Sequence, residues 1–413
     1  MNREPDEHTS VGHHRRAKAG SKYVFCVSLL ACSRRLMTNT PVARCINEVL
    51  PEEVFGVIFE EHAKLEWRAP VIDAQVCHQW RQTIVHSPRV WAYLEFPRNC
   101  KPAPSNLHQW LDRSGSVPLH IQLMEWVCGA EEVLDPHCKR ITSISLSGSF
   151  ISFLQNRSFP ILQSLTIRAE SRSLPLIHWS ASCTMPALRS FRASYISVGA
   201  LPSNIFPALR ALVLYRVNDC DCIIRNYSHF LTSLMLYRVS LQYTSESLEF
   251  PSLRFLSLFG VRNIKHRMNV PALTTYHESD TTAKESFSVS LPSLIEYGIP
   301  GFIKEPFLNV MRLHQCYPNI SRLSLRAHLY AVKPFLHSLS NQPTALPMLR
   351  ILAVGEVYGV MKYSGEDIDS MREDVSIRNM ASSVKMELCF DGKDRVPLYF
   401  AYVRVYIKEA KVN

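Results

Sequence analysis

The chain repeats a short phrase. Phe159-Pro160-Ile161-Leu162-Gln163-Ser164-Leu165-Thr166-Ile167 is matched by Phe206-Pro207-Ala208-Leu209-Arg210-Ala211-Leu212-Val213-Leu214 and by Phe250-Pro251-Ser252-Leu253-Arg254-Phe255-Leu256-Ser257-Leu258. Shorter copies begin at Met185-Pro186, Val270-Pro271, Leu291-Pro292, Tyr317-Pro318 and Leu346-Pro347, and two copies without proline run from Lys139 to Leu146 and from His229 to Leu236. Their origins, at 139, 160, 186, 207, 229, 251, 271, 292, 318 and 347, lie 20 to 29 residues apart. A unit this short cannot bury its own apolar side, so each copy must stack on its neighbours into an array.

Within a copy the leucines stand two apart, the spacing of a strand with one buried face. Proline, which has no N–H to give a ladder, marks the strand entry and would be wrong at its centre. Parity then sorts the side chains. If Leu212 and Leu214 point inward, Ala211, Val213 and Tyr215 point outward, and so do Arg168, Arg192, Met235, Tyr237, Phe255, Phe259, Arg322 and Arg326. A face mixing arginine with tyrosine and phenylalanine has the composition of a protein-binding surface.

The L-x-x-L-x-L core at this period resembles leucine-rich repeats. The resemblance implies an α/β horseshoe of short parallel strands over residues 136 to 355, with a helical or irregular convex side. Its concave face would hold a substrate through Arg168, Arg192, Tyr215, Tyr237, Phe259, Arg322 and Arg326.

A different signal occupies residues 46 to 95. Leu50-Pro51-Glu52-Glu53-Val54-Phe55-Gly56-Val57-Ile58-Phe59 puts proline and then carboxylates at the start of a helix, where a missing N–H costs nothing and the dipole favours negative charge. After Trp67 and a loop ending at Ala69-Pro70, Val76, Trp80 and Ile84 stand four apart and predict a second helix, stopped by Ser87-Pro88 before a short apolar turn at Val90-Trp91. Fewer than fifty residues cannot easily bury this many large apolar side chains against one another, so part of the surface should belong to a partner. The three blocks LPEEVFGVIF, VCHQWRQ and SPRVWAYL, in this order and spacing, resemble the F-box of fungal-type F-box/leucine-rich-repeat proteins, with His78-Gln79 where that family often has a basic pair. The resemblance implies a small all-helical module docking a Skp-type adaptor, and through it a cullin, in an SCF-type E3 ubiquitin ligase. By position, Leu50, Pro51, Val54, Ile58, Val76, Cys77, Trp80 and Trp91 would form the adaptor-binding surface.

The remaining segments are connectors and ends. Residues 96 to 135 are expected to link and cap, with a strand at Leu119, Ile121 and Leu123; residues 356 to 413 are expected to form a C-terminal cap and tail, with a polar helix from Gly365 to Arg378 carrying Ile368, Met371 and Val375 on one face and a strand from Val384 to Phe390. Leu398 to Ile407 is apolar and has no assignment. Residues 1 to 45 read as a basic tail without a fold; its apolar run from Tyr23 to Cys32 is too short to span a membrane.

Charge is modular too. The net +10 combines 8 Lys+Arg against 3 Asp+Glu in residues 1 to 45, 4 against 8 in 46 to 95, 3 against 5 in 96 to 135, 22 against 10 in 136 to 355 and 9 against 10 in 356 to 413. The basic repeat region suits an acidic or phosphorylated protein partner, whereas a nucleic-acid role is disfavoured because the arginines are spread over many repeats and no known nucleic-acid fold is present. The 12 cysteines form no C-x-x-C pair and sit in apolar runs, which fits reduced thiols in the cytoplasm or nucleus; Cys220-Asp221-Cys222 lacks a second pair, so no zinc site is expected. With no nucleophile elbow, phosphate loop, dinucleotide fingerprint or zinc-hydrolase motif, the chain is expected to be non-catalytic, to take no cofactor and to have no membrane partner. The resulting expectation is a ligase substrate receptor; the alternative is a repeat scaffold that binds partners without recruiting a ligase.

Overall fold

The computed structural model describes residues 46–96, 104–124, 129–169, 176–177, 179, 183–198, 205–239, 241, 247–261, 268–279, 291–303, 310–327, 329–355 and 364–391. The expected basic tail and the apolar stretch Leu398 to Ile407 lie outside them. The chain divides into two units at Val57 and Ile58.

The first unit contains a helical turn, α1 (Ile46–Val49), and the opening of α2 (Glu52–Leu65). Pro51 stands directly before α2, and its carbonyl accepts the backbone N–H groups of Val54 and Phe55. Glu52 and Glu53 occupy the first turn, where the dipole favours them.

The second unit is α/β. It contains the end of α2, then α3 (Ala69–Asp73), α4 (His78–Val85) and a 3-10 turn at Pro88–Trp91. α3 corrects the expectation of a loop ending at Ala69-Pro70: these residues start a helix, because proline at its first turn gives up only an N–H that has no helical partner anyway. α4 starts two residues after Val76, with Cys77 as its N-cap and the Cys77 Sγ accepting from the Trp80 N–H at 3.5 Å.

Thirteen strands then form one parallel sheet: β1 (Tyr93–Phe96), β2 (Leu119–Leu123), β3 (Ile141–Ser147), β4 (Ser164–Arg168), β5 (Ser190–Ser194), β6 (Ala211–Tyr215), β7 (Ser233–Tyr237), β8 (Phe255–Phe259), β9 (Thr275–Ser279), β10 (Glu296–Ile303), β11 (Arg322–Ala327), β12 (Ile351–Gly355) and β13 (Glu387–Asp391). Each strand pairs with the next in chain order, so the sheet grows one repeat at a time and does not close into a barrel.

Every proline-bearing copy enters its strand the same way. The residue before the proline is buried and its carbonyl accepts the N–H three residues on, as in Phe206 to Leu209 at 3.1 Å, Phe250 to Leu253 at 3.3 Å and Leu346 to Leu349 at 3.0 Å. Proline thus holds position i+1 of a β-turn, where its fixed φ is already correct, and the strand begins four residues after it. The leucine parity follows: Leu212, Leu214, Leu234, Leu236, Leu256, Leu323, Leu325 and Leu352 are all fully buried, each contributing about 1.5–3 kcal/mol by leaving water. In β9 the inward positions hold Tyr276 and Glu278 instead. That buried carboxylate accepts from the Tyr276 hydroxyl at 2.7 Å and from the Tyr297 hydroxyl at 2.5 Å, a pairing that a buried charge requires.

Helices cover the C-terminal repeats. α5 (Leu329–Asn341) and α6 (Gly365–Ala381) are joined by an ion pair between Lys333 and Asp367 at 2.9 Å, and α6 opens with a capping box in which Ser364 and Asp367 bond reciprocally. Met371 and Val375 of α6 are buried, and Ile368 packs against the same core. Among the described residues no helix is long and apolar enough to cross a membrane.

Candidate interaction surfaces

Two surfaces carry the residues singled out in the sequence. The first is helical. Along α2, Phe55 and Phe59 are buried, whereas Val54 and Val57 in the first unit and Ile58 in the second are exposed, with Ile58 at 46%. Leu50 is half-buried and Pro51 exposed. In the second unit Leu65, Val71, Ile72 and Val76 are exposed as well, Val76 at 45%. Isolated exposed valines are ordinary; a run of them from Ile58 to Val76 is an apolar surface that nothing among the described residues covers.

Three of the predicted adaptor contacts are occupied inside the fold. Cys77 is half-buried and caps α4, and Trp80 is half-buried with its ring edge-on to Phe59, centroids 5.0 Å apart. Trp91 is corrected outright. It is 1% exposed, donates its indole N–H to the Ile84 carbonyl at 2.9 Å and packs edge-on against Trp110 at 4.9 Å, so it is a core residue and not part of an exposed surface. His62 and Asp73 tie α2 to α3 at 2.9 Å; burial pushes the Asp73 carboxyl above its usual range, against the pull of His62.

The second surface is the sheet face opposite the leucines. Register arranges its side chains in rows across the strands. The last row contains Arg168, then Ser194, Tyr215, Tyr237 and Phe259 in adjacent strands. Tyr215 stacks on Tyr237 with centroids 4.3 Å apart and planes 10° from parallel, and Tyr237 stacks on Phe259 at 4.3 Å and 12°. Tyr195, just past the end of β5, tilts onto Tyr215 at 5.2 Å. Burial, then the hydrogen bond with Tyr195, pushes the Tyr215 hydroxyl well above the usual tyrosine range, so it stays protonated.

The predicted arginines do not gather in one place. Arg168 is half-buried in the last row, and Arg192 half-buried in the middle row beside Thr166 and Val213. Arg322 lies three strands beyond Phe259, in the first row, and so is displaced on the order of 14 Å across the strands and about 13 Å along them. Its Nε is 3.7 Å from the Glu296 carboxylate, which is also 3.7 Å from buried His277. Burial alone would raise the Glu296 pKa, but the neighbouring His277 ring and Arg322 guanidinium hold it below the usual glutamate value. Arg322 thus has an acidic partner within the chain, at ion-pair distance. Arg326 sits in β11, but its side chain lies outside the described residues.

Sequence parity alone misses Tyr195, Arg216 and Arg238, since each lies one residue past its strand. Their neighbourhood is aromatic: the Arg216 guanidinium carbon is 5.4 Å from the Tyr195 centroid and 5.9 Å from that of Tyr215, and that of Arg238 is 5.5 Å from Tyr237. The signal that marks the two arginines is a repeated Leu-Tyr-Arg-Val at 214–217 and 236–239. Of the Cys-Asp-Cys pair, Cys220 is buried and Cys222 exposed, and among the described residues no group of three metal-ligating side chains comes together. Compared with known proteins, the chain matches no family model, and no curated protein sequence matches it either.

Proposed function

We propose that this chain is the substrate-recognition subunit of an SCF-type cullin-RING ubiquitin ligase. In this reading its N-terminal helices form an F-box that holds a Skp-type adaptor, and its leucine-rich-repeat sheet presents a protein substrate. The observation carrying the reading is the pair of apolar side chains left in solvent in the second unit at residues that the F-box resemblance assigns to docking, Ile58 and Val76. The sheet buries its leucines completely, so a folding preference for leaving apolar groups outside does not explain the helices. The chain contributes no chemistry of its own. It holds substrate lysines near the conjugating enzyme and raises their effective concentration, acting in the cytoplasm or nucleus where the adaptor works.

The test is co-purification of the full chain with a Skp-type adaptor. The wild type is expected to capture it, and Ile58→Glu with Val76→Glu to lose it while the melting temperature stays unchanged, because both side chains are exposed. No capture by the wild type would leave the alternative, a repeat scaffold without a ligase.

A further inference from the structure

The stacked rings at the C-terminal ends of β5 to β8 present an unusual chemistry. Tyr237 is stacked at 4.3 Å on both sides, by Tyr215 and by Phe259, and Tyr195 tilts onto the other side of Tyr215, so most of the ring faces are engaged and the patch presents mainly ring edges. Aromatic edges are the positive part of the ring quadrupole, and phenol O–H groups are donors. Arg216 and Arg238 add two guanidinium groups, one on each of two adjacent repeats. Neither arginine makes an ion pair with a carboxylate among the described residues, whereas Arg322 has Glu296 at 3.7 Å. The patch thus combines two cations with ring edges and hydroxyl donors.

The backbone points the same way. The residue after the strand has a left-handed φ in four successive repeats: 56° at Tyr195, 49° at Arg216, 49° at Arg238 and 61° at Gly260. Glycine takes this conformation freely; a side chain there costs on the order of 1 kcal/mol. Two arginines therefore occupy a position that backbone energetics would give to glycine, and in doing so they flank the ring stack.

We propose that the patch formed by Tyr195, Tyr215, Tyr237, Phe259, Arg216 and Arg238 is the recognition site for an acidic peptide segment of the partner protein, its carboxylates bridging Arg216 and Arg238 while its apolar side chains lie along the ring edges. The two arginine positions are one strand apart, roughly 4.8 Å, which suits one carboxylate shared between forks or two from alternate residues of an extended peptide. A nucleic-acid strand fits less well, since base stacking needs ring faces that are free. The proposal rests on the substrate-receptor reading for its biological setting, but not for its chemistry.

The test uses the full chain and a labelled peptide alternating glutamate with phenylalanine, its glutamine-for-glutamate counterpart, and single-stranded oligothymidylate, read by fluorescence anisotropy. The glutamate peptide is expected to bind in a salt-sensitive way and the glutamine peptide at least about tenfold more weakly. Arg216→Asn with Arg238→Asn, which removes charge but tolerates left-handed φ, is expected to weaken the glutamate peptide by a similar factor. Arg216→Gly with Arg238→Gly copies the Gly260 solution and cannot fail through backbone strain, so loss of binding with an unchanged melting temperature secures the assignment. Equal binding of both peptides, binding that survives both double variants, or preference for oligothymidylate overturns it. Adaptor capture measured on the same preparations separates the two readings: failed capture by the wild type sinks the ligase role and leaves this site, while arginine variants that keep both capture and peptide binding sink only this site.

Discussion

The helices and the repeat sheet treat apolar side chains in opposite ways. In β4 to β8 every inward leucine is sealed, and what reaches the other face is a set of rings and arginines. In α2 and the turn before α4, phenylalanine goes inside but valine and isoleucine remain in water. The sheet can seal itself because each repeat is covered by the next, so burial is completed by adding copies. Two short helices have no such neighbour, and their remaining apolar surface calls for another molecule.

If that contrast is right, equal truncations have unequal effects. Leu212→Ala and Leu234→Ala, at fully buried positions, are each expected to cost about 2–5 kcal/mol in denaturant unfolding. Ile58→Ala and Val76→Ala are expected to stay within about 0.5 kcal/mol. A large loss at Ile58 would mean that its surface is structural, and would remove the main support for docking.

The same contrast explains which parts of the molecule are legible in its sequence. Leucine parity and the X-Pro-x-Leu turn are local, periodic signals, so strands β3 to β12 can be read from the residues alone, as can the cap strand β13. Trp91 is misjudged from its motif because a motif position says which residues belong together, not which way an indole points; Ile84 and Trp110 decide that. α3 escapes because Ala69-Pro70 signals a turn and a helix start equally well. Arg216 and Arg238 escape because alternation predicts strand faces and stops being informative at the left-handed residue that follows. Glu296, which faces both Arg322 and His277, belongs to a repeat between theirs, so that contact is set by register and not by sequence distance.

Thiol chemistry gives a finer comparison. Burial pushes the thiols of Cys138 and Cys183 up to about 11, and that of Cys220 up to about 12, so these cysteines of the repeat region are both inaccessible and protonated. Among the described cysteines, a maleimide or iodoacetamide time course at about pH 8, near the ordinary thiol pKa, read by peptide mass, is expected to label exposed Cys222 first and Cys138, Cys183 and Cys220 only after denaturant is added. Half-buried Cys77 of the helices is expected to fall between these groups. Rapid native labelling of Cys183 or Cys220 would show that the repeats open more readily than their packing implies.

The smallest expected effect is electrostatic. The folded protein holds Glu296 below the usual glutamate pKa of 4.5 through His277 and Arg322, against its burial. A carboxylate whose folded pKa is depressed stabilises the fold above the unfolded value and loses that contribution as pH falls through the folded one. Wild type is therefore expected to lose stability on acidification below about pH 4.5 partly through this group, whereas Glu296→Gln should show a flatter acid limb. At about pH 7 the substitution should cost no more than about 1 kcal/mol, because the site is only partly shielded from water and both contacts are 3.7 Å long. Coincident pH–stability curves for the two proteins would mean that Arg322 is not held by Glu296 in solution. Arg322 would then be as available to an acidic partner as Arg216 and Arg238, and the recognition surface would extend three strands beyond the ring stack.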